Sequence, residues 1–208
     1  MNAILGIAIP LLAIYGLFLI WYGGRGKPLE AREIEEFLTA LDAPAGEAKD
    51  QAALEDIRKL IASDDGGEFV MQNLVRYRAK ALYPAGHSYG DDPRAADRRY
   101  AKAIAWPLLR HANILLFVAR RSGSFVEPSD AVAWHYVAMV RYRSRRDFLR
   151  FAVAAHRADT FIHKWAAIEK THIFPVKPLL SLFFVRASVA AILALVGVSI
   201  FALRALWA

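Results

Sequence analysis

Phe69-Val70-Met71-Gln72-Asn73-Leu74-Val75-Arg76-Tyr77-Arg78 is the stretch that decides how the middle of this chain folds. Aromatic and β-branched residues crowd into it, and because such side chains pack well on a pleated, half-buried surface, Phe69 to Tyr77 reads as a strand. Its closing tetrad returns 65 positions later as Val140-Arg141-Tyr142-Arg143, at the end of a second strand-like run from Val132 to Tyr142. Two shorter apolar runs, Asn113 to Ala119 and Thr171 to Phe174, bring the strands to four.

Helical spacing fills the intervals. Asp92 caps a helix with Pro93 at its first position and Tyr100, Ile104 and Leu108 on one face, and Pro107 is expected to kink its end. Ser144-Arg145-Arg146-Asp147 reads as a capping box, opening a helix with Phe148, Phe151, Ala152 and Ala155 inward. A second helical piece runs near Thr160 to Ile168. The order strand, helix, strand, strand, helix, strand is the ferredoxin-like βαββαβ arrangement of the α+β class, with an antiparallel four-stranded sheet and both helices on one face. The first and third strands are expected at its centre and parallel, so that both tetrads emerge at one end. The other face has no cover, and an alternating apolar face left open asks for a partner, which predicts dimerisation.

Outward from this domain, two short amphipathic helices precede it. One carries Ile34, Phe37, Leu38 and Leu41 and stops before Pro44; the other starts at a cap on Asp50, shows Leu54, Ile57 and Ile61, and ends in Asp64-Asp65-Gly66-Gly67. Further out the chain turns apolar. Of its 208 residues 56% are hydrophobic, and the excess sits at the ends. Met1 to Tyr22 has no charged side chain, and at a rise of about 1.5 Å per residue it spans roughly the thickness of a hydrocarbon core. It leaves the apolar run through Trp21-Tyr22, an aromatic belt, and reads as a retained anchor rather than a signal peptide. At the other end the helix is expected to begin at Pro178, with Arg186 snorkelling and Trp207 and Arg204 at the far interface. The organisation is thus a transmembrane helix at 1–24, a helical collar at 28–65, the ferredoxin-like domain at 66–176 and a transmembrane helix at 178–206.

Arg25, Lys27, Lys170, Lys177 and Arg186 flank the central domain, so the positive-inside rule puts that domain in the cytoplasm of a cell whose inner membrane holds both helices. The net charge of +7 comes from 27 basic residues dispersed among 20 acidic ones. No nucleic-acid-binding signature accompanies it, so anionic lipid rather than nucleic acid is the expected counterpart. The absence of cysteine agrees with any compartment.

The segments Phe69 to Arg78 with Leu82-Tyr83-Pro84, Arg99-Tyr100, Val137 to Tyr142 with Ser144-Arg145, and His163-Lys164-Trp165-Ala166-Ala167 resemble an uncharacterised family of dimeric α/β-barrel domains. The resemblance covers about half the chain. The superfamily also holds small cofactor-independent monooxygenases and ligand-binding or haem-handling relatives. It implies the fold and pairing through the sheet; the paired terminal helices depart from the family's usual soluble form.

No catalytic constellation stands out. Asn73, a polar residue inside an apolar strand, is either a ligand contact or an amide that pins its neighbour. His156 and His163 are seven apart and fit one helix face, but no further ligand stands at zinc-like spacing, so neither a metal nor another cofactor is expected. His135, beside Trp134 and Tyr136, reads as core or interface. The loop from Pro84 to Asp92, with His87 and Tyr89, is either a lid or an ordinary turn. Arg76, Arg78, Arg141 and Arg143 either bind an anion or pair with Asp91, Asp92, Asp147 and Glu169.

The leading expectation is a membrane-anchored interaction or accessory subunit, which docks onto a larger membrane complex or onto a second copy of itself. The other is a cofactor-free, monooxygenase-like enzyme or binder of a lipophilic aromatic or quinone-like molecule, with Asn73, Tyr100, Trp106 and His163 as its lining.

Overall fold

The computed structural model describes residues 2–23, 26–42, 48–180 and 184–206. They form two compact units. The first joins the chain ends, Met1–Gly24 with Leu179–Ala208; the second is Arg25–Pro178.

In the first unit, α1 (Asn2–Tyr22) and α7 (Val185–Leu206) are both long and apolar enough to cross a membrane, and almost none of their side chains is buried. They run antiparallel. Tyr15 donates a 3.3 Å hydrogen bond to the carbonyl of Arg186, and Gly197 lies so close to Leu11 that an added Cβ would stand 2.9 Å from it. The second helix starts at Val185, not at Pro178 as expected. Its 22 residues span about 33 Å without the earlier turn. That start puts Arg186 in the first turn, its guanidinium 5.0 Å from the Tyr22 ring centre, so the charge sits among the belt aromatics at the helix end. Residues 181–183 and Trp207, the expected far-side anchor, fall outside the described residues.

In the second unit, α2 (Ala31–Asp42) and α3 (Ala48–Ala62) form the collar. They are followed by β1 (Phe69–Tyr77), α4 (Pro93–Arg110), β2 (Ile114–Arg120), β3 (Tyr136–Tyr142), α5 (Arg145–Arg157), α6 (Phe161–Ala167) and β4 (Ile168–Val176). The sheet order is β2-β3-β1-β4, antiparallel throughout. This is the expected ferredoxin-like, α+β sheet. One expected consequence fails: β1 and β3 are antiparallel, with Phe69 opposite Tyr142 and Val75 opposite Tyr136. A crossover helix makes β1 parallel to β2, and β3, inserted between them, runs against both. The two tetrads therefore lie at opposite ends of the sheet.

Odd-numbered residues of β1 face the helices. Phe69 and Met71 pack with Leu108, Val140, Tyr142, Phe151 and Ala155, while Val75 joins Ala81, Ala96, Ala166, Ala167 and Ile168. Even-numbered residues face away, and Leu74, Val137, Met139 and Phe174 belong to neither cluster.

Asp50 lies inside α3, which begins at Ala48, and so is not its cap. Strand β3 starts at Tyr136 rather than Val132; just before it, the His135 amide donates to the Val75 carbonyl of β1 at 2.8 Å and the His135 carbonyl accepts from the Arg121 amide at 3.0 Å. β4 is longer than the expected Thr171–Phe174 and follows α6 without a loop.

The stretch Ser144-Arg145-Arg146-Asp147 does more than start a helix. Ser144 Oγ accepts the Asp147 amide at 3.1 Å, the expected cap. Arg145, 4% exposed, donates to the Leu60 carbonyl at 2.8 Å and to Ser63 Oγ at 2.9 Å, which ties α3 down. Arg146 makes a fork to Glu33, 2.9 Å in each arm, and also donates to the carbonyls of Lys27 and Pro28, which ties α2 down. Gly66, at φ +70°, closes the collar: the Gly26 amide donates to its carbonyl at 3.1 Å, and a Cβ at Gly66 would collide with Gly26.

Candidate functional site

Where β1 ends and β3 begins, the helix face of the sheet opens into a cleft of about 610 Å³ adjoined by a lobe of about 390 Å³, with Tyr77, Arg94 and His135 lining both. Four chain segments build it. β1 supplies Tyr77, the start of β3 and the residues before it supply Trp134, His135 and Tyr136, the N-terminal half of α4 supplies Arg94, Asp97 and Arg98, and the end of β2 with the residue after it supplies Arg120 and Arg121.

Asp97 organises the floor. Tyr77 donates to its Oδ2 at 2.7 Å and Tyr136 to its Oδ1 at 3.3 Å. Burial, and then the adjacent carboxylate, push both phenols well above the ordinary tyrosine value, so both stay protonated and act as donors. The two rings lie 5.4 Å apart. The Tyr77 amide donates to His135 Nδ1 at 2.9 Å, which fixes that nitrogen as an acceptor.

Around this floor the charge is positive. Arg121 is held by Glu127 at 2.6 Å and by the carbonyl of Gly123, and Arg98 stands 3.5 Å from Asp92. Arg94 and Arg120 have no carboxylate within 4.0 Å among the described residues; Asp97, in the same cleft, accepts from the two tyrosines. The Arg94 guanidinium lies 6.0 Å from the Tyr77 ring centre. Val118, Ala133 and Trp134 complete an apolar side.

Of the residues singled out in the sequence, His135 lines both cavities and Arg78, Asp91 and Asp92 line the smaller lobe, whereas Asn73, Tyr100, Trp106 and His163 lie elsewhere. Asn73 donates to the carbonyls of Met71 and Ala138, at 3.1 and 3.3 Å, and so bridges β1 to β3. Tyr100 lies against Phe161, with ring centres 6.2 Å apart, under the ammonium of Lys164. Trp106 is exposed on α4. His163 Nδ1 is 3.0 Å from the Tyr83 hydroxyl and its ring meets Tyr89 edge-on; burial, with Arg99 nearby, lowers its pKa. His87 and Tyr89 stack beside it at the loop. His156 and His163 are on different helices, α5 and α6.

The tetrad arginines are largely paired. Arg76 meets Glu169 at 3.0 Å and Arg143 meets Asp147 at 2.7 Å, both among the expected partners, while Arg141 pairs with Glu68 instead. Arg78 reaches the carbonyl of Trp165 at 3.4 Å. Being at opposite ends of the sheet, the two pairs do not form one anion site.

Sequence reading passed over Asp97, although a signal existed. It falls on the same α4 face as Tyr100, Ile104 and Leu108, and a carboxylate on an apolar helix face needs partners.

No family model and no curated protein matches the chain. Two crystal structures of the RPA0582 protein, one of them described as a protein of unknown function from Rhodopseudomonas palustris, share its fold. The methylated form has a TM-score of 0.55 and 24% identity over 62% of this chain and 93% of that one; the other has 0.54 and 24% over 61% and 94%. A dabb family protein with a ferredoxin-like fold from Mesorhizobium loti overlaps more loosely, at a TM-score of 0.32 and 14% identity over 55% of this chain and 99% of that one. At 24% identity the likeness to RPA0582 is one of fold.

Proposed function

We propose that this is a membrane-anchored interaction protein: α1 and α7 span the bilayer, and the central unit, on the cytoplasmic side, pairs with a second copy through the open face of its sheet to act as an accessory subunit of a membrane complex. The observation that carries the reading is that open face. Leu74, Val137, Met139 and Phe174 lie on it outside both core clusters, and Phe117 is 40% exposed beside them. Cross-strand neighbours such as Gln72 with Phe174 and Leu74 with His172 make a continuous uncharged patch, bordered at one end by Arg76 opposite Lys170. Such a face matches its own copy about a two-fold axis. The two helices support anchoring, because side chains that find no burial in the protein find it in lipid.

Light scattering on the full chain in mild detergent tests the pairing. The expected result is a particle with two copies, reduced to one by Met139→Glu. A wild-type particle holding one chain and nothing else would overturn the reading.

A further inference from the structure

The cleft at the end of β1 is not used by anchoring or pairing, yet it has the makings of a binding site. Its polar floor is fully engaged: Asp97 accepts from two tyrosines and His135 from a backbone amide, so neither asks for a ligand. What remains unengaged is cationic. Arg94 and Arg120 line the cleft from opposite elements, helix and sheet, and among the described residues neither has a carboxylate within 4.0 Å. The same cleft is lined by Tyr77, whose ring centre is 6.0 Å from the Arg94 guanidinium, and by Val118 and Trp134. Guanidinium groups recognise carboxylate and phosphate oxygens in pairs, while flat apolar walls recognise flat apolar bodies.

We propose that this cleft binds a small molecule carrying one carboxylate or phosphate group on a flat apolar body, with Arg94 and Arg120 gripping the anion and Tyr77 and Trp134 flanking the body. Asp97 acts as a positioning residue: it locks the two tyrosines and, being engaged, leaves the arginines to the ligand. The volume of about 610 Å³ suits a molecule of one to three rings. The site needs neither the membrane helices nor a second copy, so its failure would leave the proposed function standing.

Equilibrium dialysis of 2-naphthoate against the full chain in nanodiscs, with empty nanodiscs as the blank, tests it. Saturable binding is expected, about tenfold or more tighter than that of 2-naphthalenemethanol and weakened by a similar factor in Arg94→Ala/Arg120→Ala. Should that variant misfold, Arg94→Gln/Arg120→Gln replaces it, with an unchanged melting temperature as the check. Competition by inorganic phosphate would extend the site to phosphorylated ligands; its failure would confine the site to carboxylates. Absence of saturable uptake, equal binding of the alcohol, or equal binding by a folded variant would overturn the proposal.

Discussion

Asp97 occupies a helix position where an alanine or leucine would ordinarily face the sheet, and the two phenols it holds are what make that tolerable. Removing the carboxylate leaves two half-buried hydroxyls without their acceptor. Asp97→Ala is therefore expected to cost about 1–2 kcal/mol, read as a lowered melting temperature, and Tyr136→Phe, which loses the longer bond, about half as much. Lys164 is the opposite case. Its ammonium sits 4.9 to 5.9 Å from the ring centres of Trp165, Tyr100 and Phe161, and burial lowers its pKa to about 8. The folded state thus binds this proton less tightly than the unfolded chain, so the penalty is full below pH 8 and is relieved as pH rises towards the free value of 10.5. Lys164→Met should stabilise by about 1–2 kcal/mol at pH 7, and the gap to wild type should close near pH 10. A variant no more stable than wild type at pH 7 would contradict this. From sequence, Asp97 shows only as a carboxylate on an apolar helix face, and the role of Lys164 is not legible at all. The partners of Asp97 come into view only when β1 and β3 bring Tyr77 and Tyr136 together, and Arg94 and Arg120 look like any solvated arginines until the distances to the nearest carboxylates are known.

At the scale of elements, the collar depends on charges from the start of α5. Arg146, hydrogen-bonded to Glu33, holds that carboxyl down at about 2, and Lys177 likewise lowers Asp65. A carboxyl whose folded pKa is depressed contributes stability above its unfolded value of 4.5, and the contribution fades as pH falls towards 2. Glu33→Gln should loosen α2 by about 1 kcal/mol, seen as a roughly fivefold faster tryptic cut after Arg32, whose side chain is 89% exposed. An unchanged rate would mean the fork contributes nothing. The elements themselves were largely legible. Phe69–Tyr77 is a strand by composition, Asp92-Pro93 starts α4, and Ser144 caps α5, each through chemistry local to a few residues. Strand direction was misread because it is a property of the connections: the crossover through α4 fixes β2 relative to β1, and β3 must then oppose both. The Arg145 and Arg146 ties, 80 or more residues from their partners, leave no local trace.

For the molecule as a whole, the proposed insertion and orientation rest on the length and apolar character of α1 and α7 and on the charges beside them. The chain contains no cysteine, so a single Ser88→Cys in the exposed loop before α4 gives an unambiguous label. In the orientation proposed from the positive-inside rule, a membrane-impermeant maleimide should react with it in inverted vesicles and not in intact cells whose outer layer has been opened. The reverse pattern would turn the topology over.

Fractionation of the full chain expressed in cells reaches the central claim most directly. The account predicts that it stays with the membrane pellet through an alkaline carbonate wash and floats with lipid on a density gradient, released only by detergent. Recovery in the aqueous supernatant without detergent would contradict it, since α1 and α7 would then have to bury their apolar surfaces inside protein rather than lipid.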